Sequence, residues 1–218
     1  MKCRYCQGKC VKKGVVKERQ RYQYKNCKKY QQKVYQLNRI PQEKYQWVKR
    51  LTCEGCGISS IGRLLHITKS SVQRIIERIA AMIKSPVHTE THQDYEMDEL
   101  RTYCGNKKNE SWLMYAINKK TGVIIDFCVG RRTKENIKKV VESVLNLNPR
   151  RVYTDGLNIY QSLLSDNIHR VFKSCTNKIE RKNLTLRTHL KRLNRKTICF
   201  TRAENMLSNC VRLYCYGK

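Results

Sequence analysis

YEMDEL (residues 95–100), SWLMYAIN (111–118) and GVIIDFCVG (122–130) follow one another with Gly, Asn and Lys between them. β-Branched, aromatic and other apolar side chains recur in these segments at a period of two, the spacing of one face of a strand. Downstream the period lengthens. Thr133–Leu147 has helical spacing, with Ile137, Val140, Val141, Val144 and Leu145 on one side. RRVYTDG (150–156) reads as another strand, LNIYQSLL (157–164) as a short helix and IHRVF (168–172) as a short strand. NKIERKNLTLRTHLKRLN (177–194) reads as a long basic helix that closes the domain. Three strands, a helix, then alternating strand and helix predict an α/β domain over 94–218, a mixed sheet flanked by helices.

Upstream, residues 85–93 (SPVHTETHQ) carry few apolar side chains and read as a linker. Residues 37–84 are predicted all-α. Pro41 suits a first helical turn, and Tyr45, Val48 and Leu51 recur at threes over about 41–54. GISSIGRLLHITKSSVQRIIERIAAMI (57–83) reads as two helices around a short turn. Ile58, Ile61, Leu64 and Leu65 line the first, and Val72, Ile75, Ile76 and Ile79 the second, with Thr68 or Ser70 as its cap. Three such helices match a helix-turn-helix reader, whose last helix enters the major groove. Lys69, Ser70, Ser71, Gln73 and Arg74 would then face DNA, Gln and Arg for base edges, Lys and Ser for phosphates. An ordinary helical hairpin with a basic face is the plainer reading.

Residues 1–36 are rich in Cys, Lys, Gln and Tyr, and cannot bury a core alone. Cys3-x-x-Cys6 is half of a zinc ribbon; the second half offers Cys27, but Tyr24 stands three residues before it. Cys10 is the remaining candidate for a fourth sulfur. A three-ligand site and a knuckle held by packing alone stay open.

Charge narrows the function. The 218 residues include 46 Lys and Arg against 17 Asp and Glu, for a formal +29 spread along the chain. Such an excess points to double-stranded DNA or another nucleic acid, bound with counterion release. No stretch approaches a membrane span, and the N-terminus lacks an apolar signal core, so the expected address is the cytoplasm with no membrane partner. Twelve cysteines without a secretory signal favour metal ligation in the N-terminal cluster and packing elsewhere.

In so basic a chain, carboxylates at strand ends stand out. Two-metal phosphoryl transfer needs two or three that converge. Asp98 lies in the first strand, Asp155 follows a strand and precedes Gly156, and Glu180 sits in the last helix. Asp94, Glu96 and Asp98 alternate along one face with Glu99 adjacent, so pattern alone does not select the first carboxylate. Asp155 as a helix cap and Glu180 as an ion-pair partner are the innocent alternatives. Arg187, two turns beyond Glu180 on the same face, is a candidate for holding a phosphate.

IERKNLTLRTHLKRLNRKTICFTR (179–202), with MDEL (97–100) and YTDG (153–156), resembles transposases of the insertion sequence 1 family. The resemblance covers nearly the whole chain. It implies a ribonuclease-H-like catalytic domain with an Asp-Asp-Glu triad at Asp98, Asp155 and Glu180, and Arg187 at a basic position that follows. It implies Mg²⁺ or Mn²⁺ held by that triad, and zinc in the knuckle, where Tyr24 departs from the expected cysteine. The implied activity is recognition of terminal inverted repeats, hydrolysis to a 3′-OH and its attack on target DNA, in a bacterial, nucleoid-associated setting. Concerted joining of two ends implies a homodimer or larger on DNA. Alternatives are a non-catalytic DNA-binding regulator, a nuclease or resolvase on the same fold, and an inactive remnant.

Overall fold

The computed structural model describes residues 2–16, 18–33, 40–171, 176–194, 199 and 201–217. They form two compact units, Met1–Ile40 and Pro41–Lys218. Phe172, the last residue of the predicted fifth strand, and residues 195–198 and 200 of the basic tail lie outside the described residues.

The small unit is an antiparallel meander of β1 (Cys10–Val16), β2 (Arg19–Tyr24) and β3 (Tyr30–Gln32). Its apolar side chains do little. Val11, Val15 and Val16 are exposed, and among the described residues only Cys3, Tyr24 and Gln31 are buried.

The large unit begins with α1 (Gln42–Cys53), α2 (Ile58–Leu64) and α3 (Lys69–Met82). Thr68 caps α3, its hydroxyl accepting from Ser71 N at 3.2 Å. α2 crosses α3 at Ile61 and Gly62; a Cβ on Gly62 would stand 2.9 Å from the Ile67 carbonyl. Leu64, expected on the buried side, is exposed, because a helix of two turns buries only the residues at its crossing.

The sheet is built from β4 (Asp94–Tyr103), β5 (Glu110–Asn118), β6 (Ile124–Gly130), β7 (Arg151–Thr154) and β8 (His169–Val171). Its order is β6-β5-β4-β7-β8, antiparallel on one side of β4 and parallel on the other. This mixed sheet flanked by helices is the predicted fold class, and its order and strand directions fit a ribonuclease-H-like domain. The period of two decides what each face buries. Tyr95, Met97, Met114 and Ala116 pack under α4 (Lys134–Leu145) and α5 (Asn158–Gln161). Leu100, Leu113, Tyr115 and Ile117 pack under α6 (Asn177–His189) and α7 (Glu204–Tyr216).

Three expectations need correction. Leu145 ends α4 half-exposed, and Leu147 beyond the helix enters the core in its place. The basic helix is shorter than read: Leu190 leaves helical geometry at φ −106°, ψ 85°, and a 3-10 turn (Lys191–Leu193) follows. The domain is closed by α7, whose Met206, Leu207, Cys210, Val211 and Leu213 are buried. α1 and α3 pack against α7 within this unit. Gly55 makes the closest approach. At φ +76° it turns the chain after α1, where a Cβ would meet the His189 carbonyl at 2.1 Å.

Candidate metal centre

β4 and β7 run parallel, with Asp94, Tyr95 and Glu96 opposite Arg151, Val152 and Tyr153. Continuing that register sets Asp98 beside Asp155, at the carboxyl edge where open α/β sheets place their ligands. Asp155 Oδ1 accepts from Leu157 N at 3.2 Å. Gly156, at φ +92°, turns the chain away at once; a Cβ there would stand 2.8 Å from Val171 Cγ1.

The four acidic residues that the pattern left undecided separate clearly. Asp94 is bound by Arg150 through two bonds, Nε to Oδ1 at 2.9 Å and Nη2 to Oδ2 at 2.6 Å, which holds its carboxyl below the usual range. Glu96, 1% exposed at its side chain, accepts from Ile179 N at 2.7 Å, in the first turn of α6. Its other oxygen lies 3.4 Å from Lys119 Nζ. Asp98 faces α6, accepts from Glu99 N at 2.8 Å and bonds Asn183 Nδ2. Asn183 in turn accepts from the Tyr115 hydroxyl at 2.8 Å. Glu99 points to the opposite face, where Tyr160 donates to it and Arg132 Nη1 stands 4.0 Å away.

Oxygens of Asp98, Glu99 and Asp155 all lie within 4.8 Å of one another. Burial, then the charge of neighbouring carboxylates, pushes Asp98 above its ordinary value and Glu99 up to about 7. Hard oxygen donors that repel one another in a partly dry site are the donor set a divalent cation offsets, so the residues fit Mg²⁺ or Mn²⁺. Glu180 is near enough for its charge to act on Asp98 but is exposed, accepts from Thr176 Oγ1 at 3.1 Å, and is not in the close group. Arg187 lies half-buried near the end of α6. Its guanidinium donates to the Leu193 carbonyl at 2.8 Å and the Arg101 carbonyl at 3.3 Å, bracing α6 against β4 and the 3-10 turn.

The sequence reading took Glu99 only as a neighbour of Asp98 and missed Asn183. The signal for Asn183 was its position three residues after Glu180, on the same helix face.

In the small unit Cys3, Cys6 and Cys27 place their sulfurs within 4.8 Å of one another, with Cys3 and Cys27 at 3.6 Å. Burial acts against the Cys3 thiolate, but bonds from Tyr5 N and Cys6 N outweigh it and bring the thiol down to about 7. Cys10 is not in the group; it sits across the β1–β2 ladder from Tyr24. Tyr24 is fully buried and donates to Gln31 Oε1 at 2.8 Å. On α3, Lys69, Ser70, Gln73 and Arg74 are exposed, whereas Ser71 is spent on the Thr68 cap.

A mixed sheet with carboxylates at the edge of its parallel strands suits enzymes of nucleic-acid phosphoryl transfer. The IS1 transposase family model matches residues 94–216, so the chain belongs to the IS1 transposase family and is, by class, a DNA-processing enzyme. It is 39% identical over 108 residues to the insertion element iso-IS1n protein InsB of Shigella dysenteriae, covering 50% of this chain and 82% of that one. It is 32% identical over 119 residues to the insertion element IS1 protein InsB of Shigella flexneri, covering 55% and 91%. Among solved structures, a chain of the simian T-cell lymphotropic virus intasome in complex with PP2A regulatory subunit B56 gamma matches at TM-score 0.37 and 16% identity. That match covers 77% of this chain and 66% of the other. Among the described residues, no helix is long and apolar enough to cross a membrane.

Proposed function

We propose that the chain binds the terminal inverted repeats of its insertion element, cleaves to free 3′-OH ends and joins them to target DNA. The observation that supports this most is the convergence of the Asp98 and Asp155 carboxylates on neighbouring parallel strands. Asp98, Asp155 and Glu180 hold Mg²⁺ or Mn²⁺ in this reading. Bound there, divalent ions supply acidity to water or a 3′-OH and offset charge on phosphoryl oxygens. The chain's own groups do the positioning. Asn183 fixes the Asp98 carboxylate, Glu96 fixes the start of α6, and Arg187 braces that helix further along. Lys69, Ser70, Gln73 and Arg74 read or grip the duplex from α3, with Arg74 pairing a guanine edge. The knuckle takes Zn²⁺ on Cys3, Cys6 and Cys27, and the chain acts as a dimer or larger on DNA in the cytoplasm.

The test is transposition from a plasmid carrying the gene with its native flanks. Wild type is expected to move the element. Glu180→Gln and Asp155→Asn are expected to abolish movement while still retarding end DNA on a gel. Movement that persists in both variants overturns the assignment.

A further inference from the structure

Beside the carboxylates lies an open cavity of about 700 Å³ at the end of the sheet where β4 and β6 finish and β5 begins. Trp112 and the cations Lys108, Arg131, Arg132 and Arg202 line it. Two glutamates also line it, and one of them, Glu110, is already paired with Arg101. Among the described residues, no ion pair engages Lys108, Arg131 or Arg202. Against four cations stand Glu204 and the already paired Glu110, so the cavity keeps an excess of positive charge.

Its wall is flat and aromatic. Arg132 Cζ lies 4.3 Å from the centre of the Trp112 ring, which is itself partly buried against the core under α4, and Trp112's direct partner on β6 is Gly130, which adds no side chain. Arg132 also belongs to the carboxylate site, since its Nη1 is 4.0 Å from Glu99 Oε2. One guanidinium thus separates cavity from metal centre.

We infer that this cavity takes an unpaired nucleotide of the DNA end, its base against Trp112 and Arg132 and its phosphates on Lys108, Arg131 and Arg202. The inference rests on the transposase reading and adds where the reacting strand runs. The volume falls in the range of small-ligand pockets, roughly 300–1,000 Å³, which admits a nucleotide and is too small to enclose a duplex. Bases stack on aromatic rings and on guanidinium planes without regard to sequence, and cations track the backbone. A buried apolar ligand would not select four cations.

The test uses the full chain, Ca²⁺ in place of Mg²⁺, and short labelled duplexes that are blunt or carry a single-stranded extension of a few nucleotides. The extension is expected to tighten binding roughly 5- to 150-fold, the range of base–aromatic stacking. Arg202→Ala and Trp112→Leu should remove most of that gain, and Trp112→Phe should keep it. In a Trp47→Phe background only the extended duplex should quench the remaining tryptophan, a readout that does not depend on Trp112→Leu folding well. Equal affinity for both duplexes, or a gain indifferent to Arg202→Ala with no quenching, overturns the inference and leaves the transposase reading standing. Failure to bind either duplex removes both.

Discussion

In Met1–Ile40 three thiols meet with almost no apolar core around them; in Pro41–Lys218 three carboxylates meet at the rim of a sheet with a packed core on each face. Of the three thiols Cys3 is buried and Cys6 and Cys27 are half-buried, and a metal held there would supply what packing among the described residues does not. The second group is an electrostatic burden at the edge of a unit whose two apolar cores do not include it. In one unit the ligand-type residues would stabilise the fold once metal is bound, and in the other the fold tolerates their repulsion.

The largest effect should come from stripping metal with a strong chelator. Residues 2–33 are expected to lose protection from hydrogen exchange throughout, while β4–β7 keep theirs. Protection of β1–β3 that survives the chelator would show a knuckle held by packing, with the buried Tyr24–Gln31 pair as its centre.

A smaller effect of unusual sign is expected at Asp155. Its charge raises both Asp98 and Glu99, so Asp155→Asn should stabilise the large unit without divalent ions. Because Asp155 is exposed, the gain should be only about 0.5–1 kcal/mol in denaturant unfolding. Mg²⁺ should raise the melting temperature of wild type and not of the variant. Destabilisation by Asp155→Asn would mean that the charge on Oδ1 strengthens its bond from Leu157 N by more than the repulsion costs.

The smallest effect is at Asp94, where Arg150 lowers the carboxyl pKa. A depressed folded pKa gives stability that is complete above the unfolded value, ~3.9, and is lost as pH falls through the folded one. Asp94→Asn should therefore cost under ~1 kcal/mol at neutral pH and flatten the acid side of the stability curve below about pH 4. A loss unchanged between neutral pH and the acid limit would assign the cost to packing.

The sheet was legible because its strands alternate and their turns carry Gly, Asn and Lys. α7 was not, although Met206, Leu207, Cys210 and Val211 repeat at helical spacing; the basic run before it was taken for the closing helix. In the candidate site, Asp155 stands out beside Gly156, whereas choosing among Asp94, Glu96, Asp98 and Glu99 needed three dimensions. Alternation sorts them by face, but only the partners, Arg150, Ile179 N, Asn183 and Tyr160, tell a structural carboxylate from one left facing its neighbours. Tyr24 looked like a missing ligand, and the fold uses it as the plug of the small unit.

The buried Glu96 carboxylate ties the first turn of α6 to β4. The helix bearing Glu180 is moored directly to the strand bearing Asp98, two residues away from the mooring point. The width of the site is then set by that mooring, while the chain from Asp155 to Glu180 takes its own route through α5 and β8.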